Sequence, residues 1–438
     1  MMPVLVPRQS DEAPMTHRVP YFRPDISGAE IDEVCATLRS GWLTTGPKVH
    51  KFEEAFKAAV HARHALAVNS CTAALHLALE AVGTTRGDGV LVPTMTFAAT
   101  AEVVRYQNAT PILVDCDPDT LMLDLDDAQR KVEQLRSGRP VGRLPSDLSL
   151  VGIMPVHVGG LMMDVEAVQA FAARLGLWIV EDAAHGFPAA WRRRPSDPWR
   201  PCGGGTATAT CFSFYANKTI TTGEGGMVVT DDDRLAERMR MMALHGLSTD
   251  AWGRYSGNGT WDYQILAPGF KYNLTDIAAA IGLHQLVRAE QMRLARERIA
   301  HRYFDALRNV EEIELPVDVD NRVHAWHLYP IKLRLRRLAI DRSGFIGDLA
   351  KLGIGCSVHW RPLHLHPYYR EVFGYRPEDF PIASTVWARL VSLPIFSAMT
   401  EEDIDMVVAA VREVCRRHVG PARVPRPALR KAAAVGAP

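Results

Sequence analysis

Between residues 65 and 230, short apolar runs alternate with segments whose apolar positions recur at helical spacing. The runs predict strands and the segments predict helices. The predicted strands are Ala65–Val68, Gly89–Pro93, Pro111–Val114, Leu150–Val156, Leu177–Val180, Thr210–Phe214 and Gly226–Thr230. The predicted helices between them are Thr72–Val82, Ala98–Gln107 and Val165–Leu175. This alternation predicts an α/β fold, with a mostly parallel central sheet covered by helices on both faces.

Two further helices are predicted ahead of the first strand. Ser27 and Glu30 have the spacing of a capping box, and Gly41 closes the helical pattern that follows them. The apolar face of this first helix is formed by Ile31, Val34, Cys35 and Leu38. The second helix is predicted from Lys48 to His61, with an apolar face formed by Val49, Phe52, Phe56 and Val60.

The later part of the chain predicts a second, smaller domain. A long helical stretch from Asp276 to Phe304 leads out of the strand-rich region. With 438 residues, 47% of them hydrophobic, the chain is long enough for more than one core. The predicted units are a disordered tail over residues 1–19, a large ligand-binding α/β domain with an N-terminal arm over 20–290, a small α+β domain over 291–419 and a disordered basic tail over 420–438.

Composition narrows the class of protein. Lys plus Arg and Asp plus Glu each number 50, so charge gives no reason to expect a nucleic-acid partner. No apolar run reaches the length of a membrane span, and the N-terminus lacks the apolar core of a signal peptide. The seven cysteines show no paired spacing, which is typical of reduced thiols in the cytoplasm, and no metal site is predicted.

Polar residues follow four of the predicted strands, where an open α/β sheet binds its ligands. After the first strand, Cys71, Thr72 and Ala73 begin a helix whose N-terminal N–H groups can hold a phosphate. The alternative for this segment is a plain helix cap. Phe97 follows the second strand, where its ring can stack on a flat ligand or simply fill the core.

A third junction joins a buried strand to Glu181, Asp182 and His185. A buried carboxylate needs a cation, and a protonated pyridine nitrogen would be one. Asp182 is the candidate and Glu181 the competitor. A structural ion pair or a helix cap remains open for the carboxylates, and a structural role remains open for His185.

The fourth junction places Lys218 between an aromatic strand and a glycine-rich turn. A lysine sheltered beside a cofactor loses charged-state solvation, so its pKa falls and its amine becomes nucleophilic. The alternative is an exposed loop lysine. The four junctions together predict that pyridoxal 5′-phosphate (PLP) binds as a Schiff base on Lys218.

Six segments resemble landmarks of one family. They read GWLTTGPKVHKFE from Gly41, EDAAHG from Glu181, SFYANKTITTGEGG from Ser213, PGFKYNLTDI from Pro268, VHAWHLYPI from Val323 and SVHWRPLHLHPYY from Ser357. From about Pro20 to Val414, the chain resembles the DegT/StrS-type nucleotide-sugar aminotransferases. These are a branch of the fold-type I PLP enzymes, so the resemblance implies that fold with a smaller C-terminal α+β domain.

The resemblance implies a role for each site residue. Lys218 matches the Schiff-base lysine, and Asp182, rather than Glu181, matches the carboxylate under the pyridine nitrogen. His185 matches the residue that faces the ring hydroxyl, and Phe97 matches the aromatic that stacks on the ring. The implied phosphate contacts come from Thr72, Ser213 and the backbone of Cys71 and Ala73, together with Asn273 of a neighbouring subunit. A homodimer with shared active sites is therefore implied.

The closest resemblance is to enzymes that aminate C4 of UDP- or dTDP-linked 4-keto sugars, with L-glutamate as donor and 2-oxoglutarate as product. The candidates for sugar contact are Arg254, Tyr255, His359 and Arg361. Related sugar dehydratases carry His in place of the lysine, so Lys218 favours amino transfer. A 3-keto-sugar or cyclitol aminotransferase and a non-catalytic PLP-binding regulator are the alternatives.

Overall fold

The computed structural model describes residues 18–248 and 263–420. The described helices are α1 Gly28–Ser40, α2 Pro47–Val60, α3 Cys71–Ala81, α4 Ala99–Tyr106, α5 Leu125–Arg136, α6 Val165–Leu175, α7 Asp233–Met242, α8 Asp276–Val287, α9 Ala289–Leu307, α10 Arg342–Lys351, α11 Pro367–Phe373, α12 Pro381–Trp387 and α13 Glu401–Arg417. The described strands are β1 His64–Val68, β2 Asp88–Pro93, β3 Thr110–Val114, β4 Ser149–Ile153, β5 Trp178–Asp182, β6 Ala190–Trp191, β7 Arg200–Pro201, β8 Ala209–Ser213, β9 Gly226–Thr230, β10 Ile313–Glu314, β11 Arg322–Val323, β12 Tyr329–Leu333 and β13 Leu390–Leu393.

The central sheet has seven strands in the order β1-β9-β8-β5-β4-β2-β3. Neighbouring strands from β8 to β3 pair in parallel, whereas β9 runs antiparallel to both of its neighbours. The sequence-based prediction of a mostly parallel sheet is confirmed. Each predicted strand of the sheet is present, with small shifts at the ends that are usual for such boundaries.

The helical stretch predicted from Asp276 to Phe304 consists of two helices in the structure. Helix α8 ends at Val287, and helix α9 begins at Ala289. Between them, Arg288 donates its backbone N–H to the carbonyl of Gln285 in the tighter pattern of a helix end. Its guanidinium binds the carboxylates of Asp25 and Glu30 in the N-terminal arm. Within the described residues, no helix is both long and apolar enough to cross a membrane.

Helix α1 begins where the sequence predicted, but part of its predicted apolar face is not buried. Ser27 and Glu30 form the capping box, and Glu30 is also buried against Arg288. The apolar residues Ile31 and Leu38, predicted on one face of this helix, remain 56% and 54% exposed. In a single chain, therefore, part of the apolar face of α1 lies open to solvent.

The C-terminal part of the chain has a core of its own. Strands β10, β12 and β13 form an antiparallel sheet, and helices α9, α10 and α13 contribute buried apolar side chains to the same core. Residues from Leu363 to Leu390, which belong to the predicted small domain, pack instead against the core of the large sheet. The domain division at residue 290 stays a prediction.

Candidate active site

A cavity of about 460 Å³ opens at the carboxyl ends of the central strands. Most of its lining residues come from the ends of β1, β2, β5 and β8 and the segments that follow them, which are the four junctions singled out in the sequence. Predicted site residues from all four segments line this one cavity: Cys71, Thr72, Phe97, Asp182, His185, Ser213 and Lys218. Side chains that are far apart in sequence therefore converge on a single ligand-sized space.

Lys218 lies on the loop from β8 to β9 and opens into the cavity. Its backbone N–H donates to the carbonyl of Tyr215 at 2.9 Å. Burial lowers the pKa of its amine from 10.5 to about 8, with Arg296 acting in the same direction and Cys71 and Asp182 against it. An amine with this pKa is partly neutral near physiological pH, which suits a nucleophile.

The lowered pKa of Lys218 predicts the pH dependence of PLP uptake by the apoenzyme. Only the neutral amine attacks the PLP aldehyde. Because the folded protein holds this pKa near 8, the uptake rate should rise as the pH increases through about 8 and level off above it. Stopped-flow absorbance between about pH 6 and pH 10 measures this. A rate still climbing steeply at the upper limit would show an amine with its ordinary pKa.

Gly226 allows the chain after Lys218 to pack closely against the backbone at the start of α3. A Cβ placed on Gly226 would lie 2.6 Å from the backbone N of Cys71 and 2.5 Å from the carbonyl carbon of Ser70. No other residue type fits against that backbone without displacing it. The glycine-rich turn thus brings the segment after Lys218 directly against the helix N-terminus that begins at Cys71.

Asp182 ends β5 with its carboxylate buried at the wall of the cavity. The Thr100 hydroxyl donates to one carboxylate oxygen at 2.7 Å, and the Ala184 N–H donates to the other at 3.0 Å. Burial raises the pKa of Asp182 in spite of these two donors. No ion pair in the described part of the chain includes Asp182. A cation arriving in the cavity would therefore stabilise this carboxylate strongly.

The carboxylate of Glu181 forms its hydrogen bonds outside the cavity. Its carboxylate accepts hydrogen bonds from the hydroxyls of Thr206 and Thr210 at 2.8 and 2.7 Å, and His157 Nε2 lies 3.7 Å away. Ligand atoms of His157, Glu181 and Cys202 lie within 4.8 Å of one another, but the two threonine hydroxyls already hydrogen-bond the carboxylate of Glu181. Of the two adjacent acids, Asp182 is the one that lines the cavity.

His185 is held as a hydrogen-bond donor towards the cavity. Its Nδ1 accepts the backbone N–H of Gly159 at 3.3 Å, so the ring proton lies on Nε2. Burial, together with Lys218 and His359, holds the pKa of His185 well below 6.5, so the ring is neutral. Trp360 stacks on the ring at 5.2 Å between centroids.

The start of α3 offers part of the expected phosphate cradle. Cys71 and Thr72 line the cavity, as does Ser213 at the end of β8. Ala73 does not line it, and its N–H donates to the side chain of Ser70, which caps the helix. The phosphate contact implied for the Ala73 backbone stays a prediction. Phe97 is 62% exposed, with its ring open to the cavity.

Of the remaining residues that were predicted to contact ligands, some line this cavity and others do not. His359 lines the cavity and hydrogen-bonds Ser392 at 2.9 Å. Arg361 does not line it, and its guanidinium donates to the Leu365 carbonyl. Asn273 lines a different cavity of the same chain, where its amide donates to Thr45 at 2.7 Å. Two further candidates, Arg254 and Tyr255, lie outside the described residues.

Three residues that sequence reasoning did not single out belong to this site. Thr100 holds Asp182, while His327 and Trp360 flank His185. Thr100 stands one helical turn after Phe97, which is a weak signal. His327 and Trp360 occur inside the quoted family segments, yet their place in the cavity depends on how the C-terminal part packs on the sheet.

The cavity suits PLP on its own geometry. It offers a lysine amine of lowered pKa, a buried carboxylate that forms no ion pair within the described ranges, an aromatic ring open to the space and a helix N-terminus. Those features match the aldehyde, the pyridine nitrogen, the ring face and the phosphate of the cofactor, respectively.

Comparison with solved structures agrees with that geometry. The protein is similar to the PLP form of the putative sugar aminotransferase Spr1654 from Streptococcus pneumoniae, with a TM-score of 0.80 and 28% identity over 92% of this chain and 99% of that one. It is also similar to DesV from S. venezuelae, with a TM-score of 0.76 and 30% identity over 89% of this chain and 94% of that one. Fold and site together define a PLP-dependent sugar aminotransferase of fold type I.

The family follows from the sequence match. Residues 24–412 match the DegT/DnrJ/EryC1/StrS aminotransferase family. The spore coat polysaccharide biosynthesis protein SpsC of Bacillus subtilis (strain 168) is 43% identical over 401 residues, which cover 91% of this chain and 98% of SpsC. The chain belongs to the DegT/DnrJ/EryC1/StrS aminotransferase family, and the resemblance inferred from the sequence is confirmed.

Proposed function

We propose that the protein transfers the amino group of L-glutamate to a nucleotide-linked 4-keto sugar, giving the 4-amino sugar and 2-oxoglutarate. The observation that carries this proposal is the convergence of Lys218, Asp182 and His185 on one cavity. When bound, PLP supplies an electron sink for the carbon that loses its proton. We propose that the reaction takes place in the cytoplasm.

Three side chains divide the work in this proposal. The amine of Lys218 carries the cofactor, then takes the proton from the donor carbon and returns it on the other side of the transferred nitrogen. The carboxylate of Asp182 keeps the pyridine nitrogen protonated, and its burial at the cavity wall, where a cation would stabilise the charged carboxylate, supports that role. His185 donates from Nε2 to the ring hydroxyl, consistent with the Gly159 N–H that holds its Nδ1.

The remaining cofactor contacts are assigned by position. We assign the phosphate to Thr72, Ser213 and the backbone of Cys71 and Ala73, and ring stacking to Phe97. Support comes from the exposure of Phe97 to the cavity and from the helix N-terminus at Cys71. Sugar contact is assigned to His359, which lines the cavity, and to Arg254, Tyr255 and Arg361.

A homodimer with shared sites completes the proposal. Asn273 lies away from the cavity of its own chain, beside Thr45, so a role at the phosphate requires a second chain. Apolar side chains that remain exposed support an interface: Ile31, Leu38, Ile265, Leu266 and Val287. Large apolar side chains that stay exposed in a single chain are consistent with a surface that a partner covers.

Mixed dimers test the shared site. We expect K218A and N273D each to be inactive as homodimers, the second because a carboxylate repels the phosphate. After denaturation and co-refolding, a hybrid should regain activity, since one of its sites contains both an intact Lys218 and an intact Asn273. Refolded single variants serve as controls. Hybrids that stay inactive, or a protein that sediments as a monomer, would refute shared sites.

A substrate panel tests the acceptor. Apoenzyme reconstituted with pyridoxamine phosphate is mixed separately with dTDP-4-keto-6-deoxyglucose, a dTDP-linked 3-keto sugar and a keto-inositol. The proposal predicts amino transfer to the 4-keto sugar, read as return of the long-wavelength absorbance of Lys218-bound cofactor. Turnover only with the 3-keto sugar or the keto-inositol would refute the C4 assignment. Glutamate is tested independently by the disappearance of that absorbance.

A further inference from the structure

The imidazole of His327 forms part of the cavity wall. It lies between β11 and β12, is 5% exposed and lines the cavity beside His185, with ring centroids 4.1 Å apart. Its Nδ1 is buried and has no hydrogen-bond partner among the described residues. Buried polar atoms are nearly always paired, so an unpaired one at a ligand cavity calls for an explanation.

The backbone beside His327 is held in a strained conformation. Trp326 has a φ of +47°, a left-handed geometry that is rare for a bulky residue. Its N–H donates to His324 Nδ1 at 2.8 Å, and the two rings stack at 3.9 Å. The buried guanidinium of Arg296 donates to the Trp326 carbonyl at 3.3 Å and to the Ile395 carbonyl at 2.8 Å. These contacts fix the direction in which His327 leaves the chain.

The tautomer of His327 follows from its surroundings. Burial and the nearby His185, Lys218 and Arg296 hold its pKa well below 6.5, so the ring is neutral and has one N–H. A proton on Nδ1 would find no acceptor. On Nε2 it can meet a ligand in the cavity. His185 has the same tautomer, so two neutral N–H donors stand side by side next to Lys218.

We propose that His327 is a further substrate-contacting residue, which donates from Nε2 to a neutral oxygen of the keto sugar beside the carbon that receives nitrogen. The inference rests on the proposed function. His185 is already assigned to the ring hydroxyl of the cofactor, which leaves the second donor for the acceptor. A neutral donor suits a hydroxyl or carbonyl oxygen, whereas a carboxylate is matched by arginine, and no arginine of the described chain lines the cavity.

Three variants of the holoenzyme test this role. H327F and H327N remove a donor at the Nε2 position, whereas H327Q places its amide nitrogen near that position. The first half-reaction, with glutamate, and the second, from enzyme loaded with pyridoxamine phosphate, are followed separately by absorbance. The acceptor is the panel compound that wild-type enzyme turns over, so a failed 4-keto probe refutes the proposed substrate and leaves this comparison intact.

The expected pattern is a loss confined to the sugar step. H327F and H327N should slow that step roughly 10- to 100-fold, the size expected when one buried hydrogen bond is lost, and H327Q should recover most of it. The glutamate step and the affinity of apoenzyme for PLP, measured by fluorescence quenching, should stay unchanged. An unaffected sugar step in H327F, or equal losses in both steps without recovery in H327Q, would overturn the assignment.

Discussion

Replacing Lys218 with alanine is expected to abolish amino transfer while leaving the fold intact. The variant loses both the amine that holds the cofactor and the proton carrier, and a positioned acid–base group alone contributes on the order of 10²- to 10⁴-fold in rate. The fold should survive, because the side chain opens into the cavity and its removal leaves no void in the packed core. Steady-state turnover and the long-wavelength absorbance of the bound cofactor measure the effect.

A matched control separates the loss of this lysine from the loss of any lysine. Lys351 lies on α10, outside the cavity, and pairs with Asp348 at 2.7 Å. K351A should keep wild-type turnover and absorbance, and thermal melts of both variants should stay close to wild type. Normal transamination by K218A would contradict the assignment of this lysine.

Replacing Asp182 with asparagine has the second largest expected effect. Asparagine keeps the shape but removes the charge that the pyridine nitrogen would meet. A hydrogen bond to a charged group is worth about 1.5–3 kcal/mol, so the affinity for PLP should fall by roughly 10- to 100-fold. Turnover at saturating PLP should fall further, because the unprotonated ring is a weaker electron sink. Titration of apoenzyme with PLP and single-turnover absorbance give the two values.

The neighbouring acid provides the control for D182N. The carboxylate of Glu181 is bound by Thr206 and Thr210 and does not line the cavity. E181Q should therefore lower the free energy of unfolding and leave the PLP dissociation constant close to wild type. If E181Q weakened PLP binding as much as D182N, the distinction between the two acids would fail.

Local pattern was sufficient to find the sheet and the residues at its edge. Buried parallel strands appear as short apolar runs, and Asp182 ends one of them while Lys218 lies on the loop that follows another. Because the carboxyl ends of parallel strands meet at one edge, chain order alone predicted that these side chains share a cavity. The family resemblance added the choice of Asp182 over Glu181, which local sequence left open.

The pattern of apolar and polar positions could not predict contacts between residues that are far apart in the sequence. Thr100 binds Asp182 across 82 positions of sequence, and the approach of His327 to His185 depends on the packing of two separate cores. The apolar residues of α1 predicted a buried face, yet Ile31 is exposed in a single chain. Periodicity identifies an apolar face and is silent on whether the same chain or another one covers it.

Borohydride reduction of the PLP-loaded protein tests the central claim most directly. Reduction fixes a Schiff base as a stable amine, and peptide mass spectrometry then locates the added pyridoxyl group. The account predicts that this group lies on the peptide containing Lys218 and that prior treatment with glutamate removes it. A pyridoxyl group on another lysine, or none at all, would contradict it.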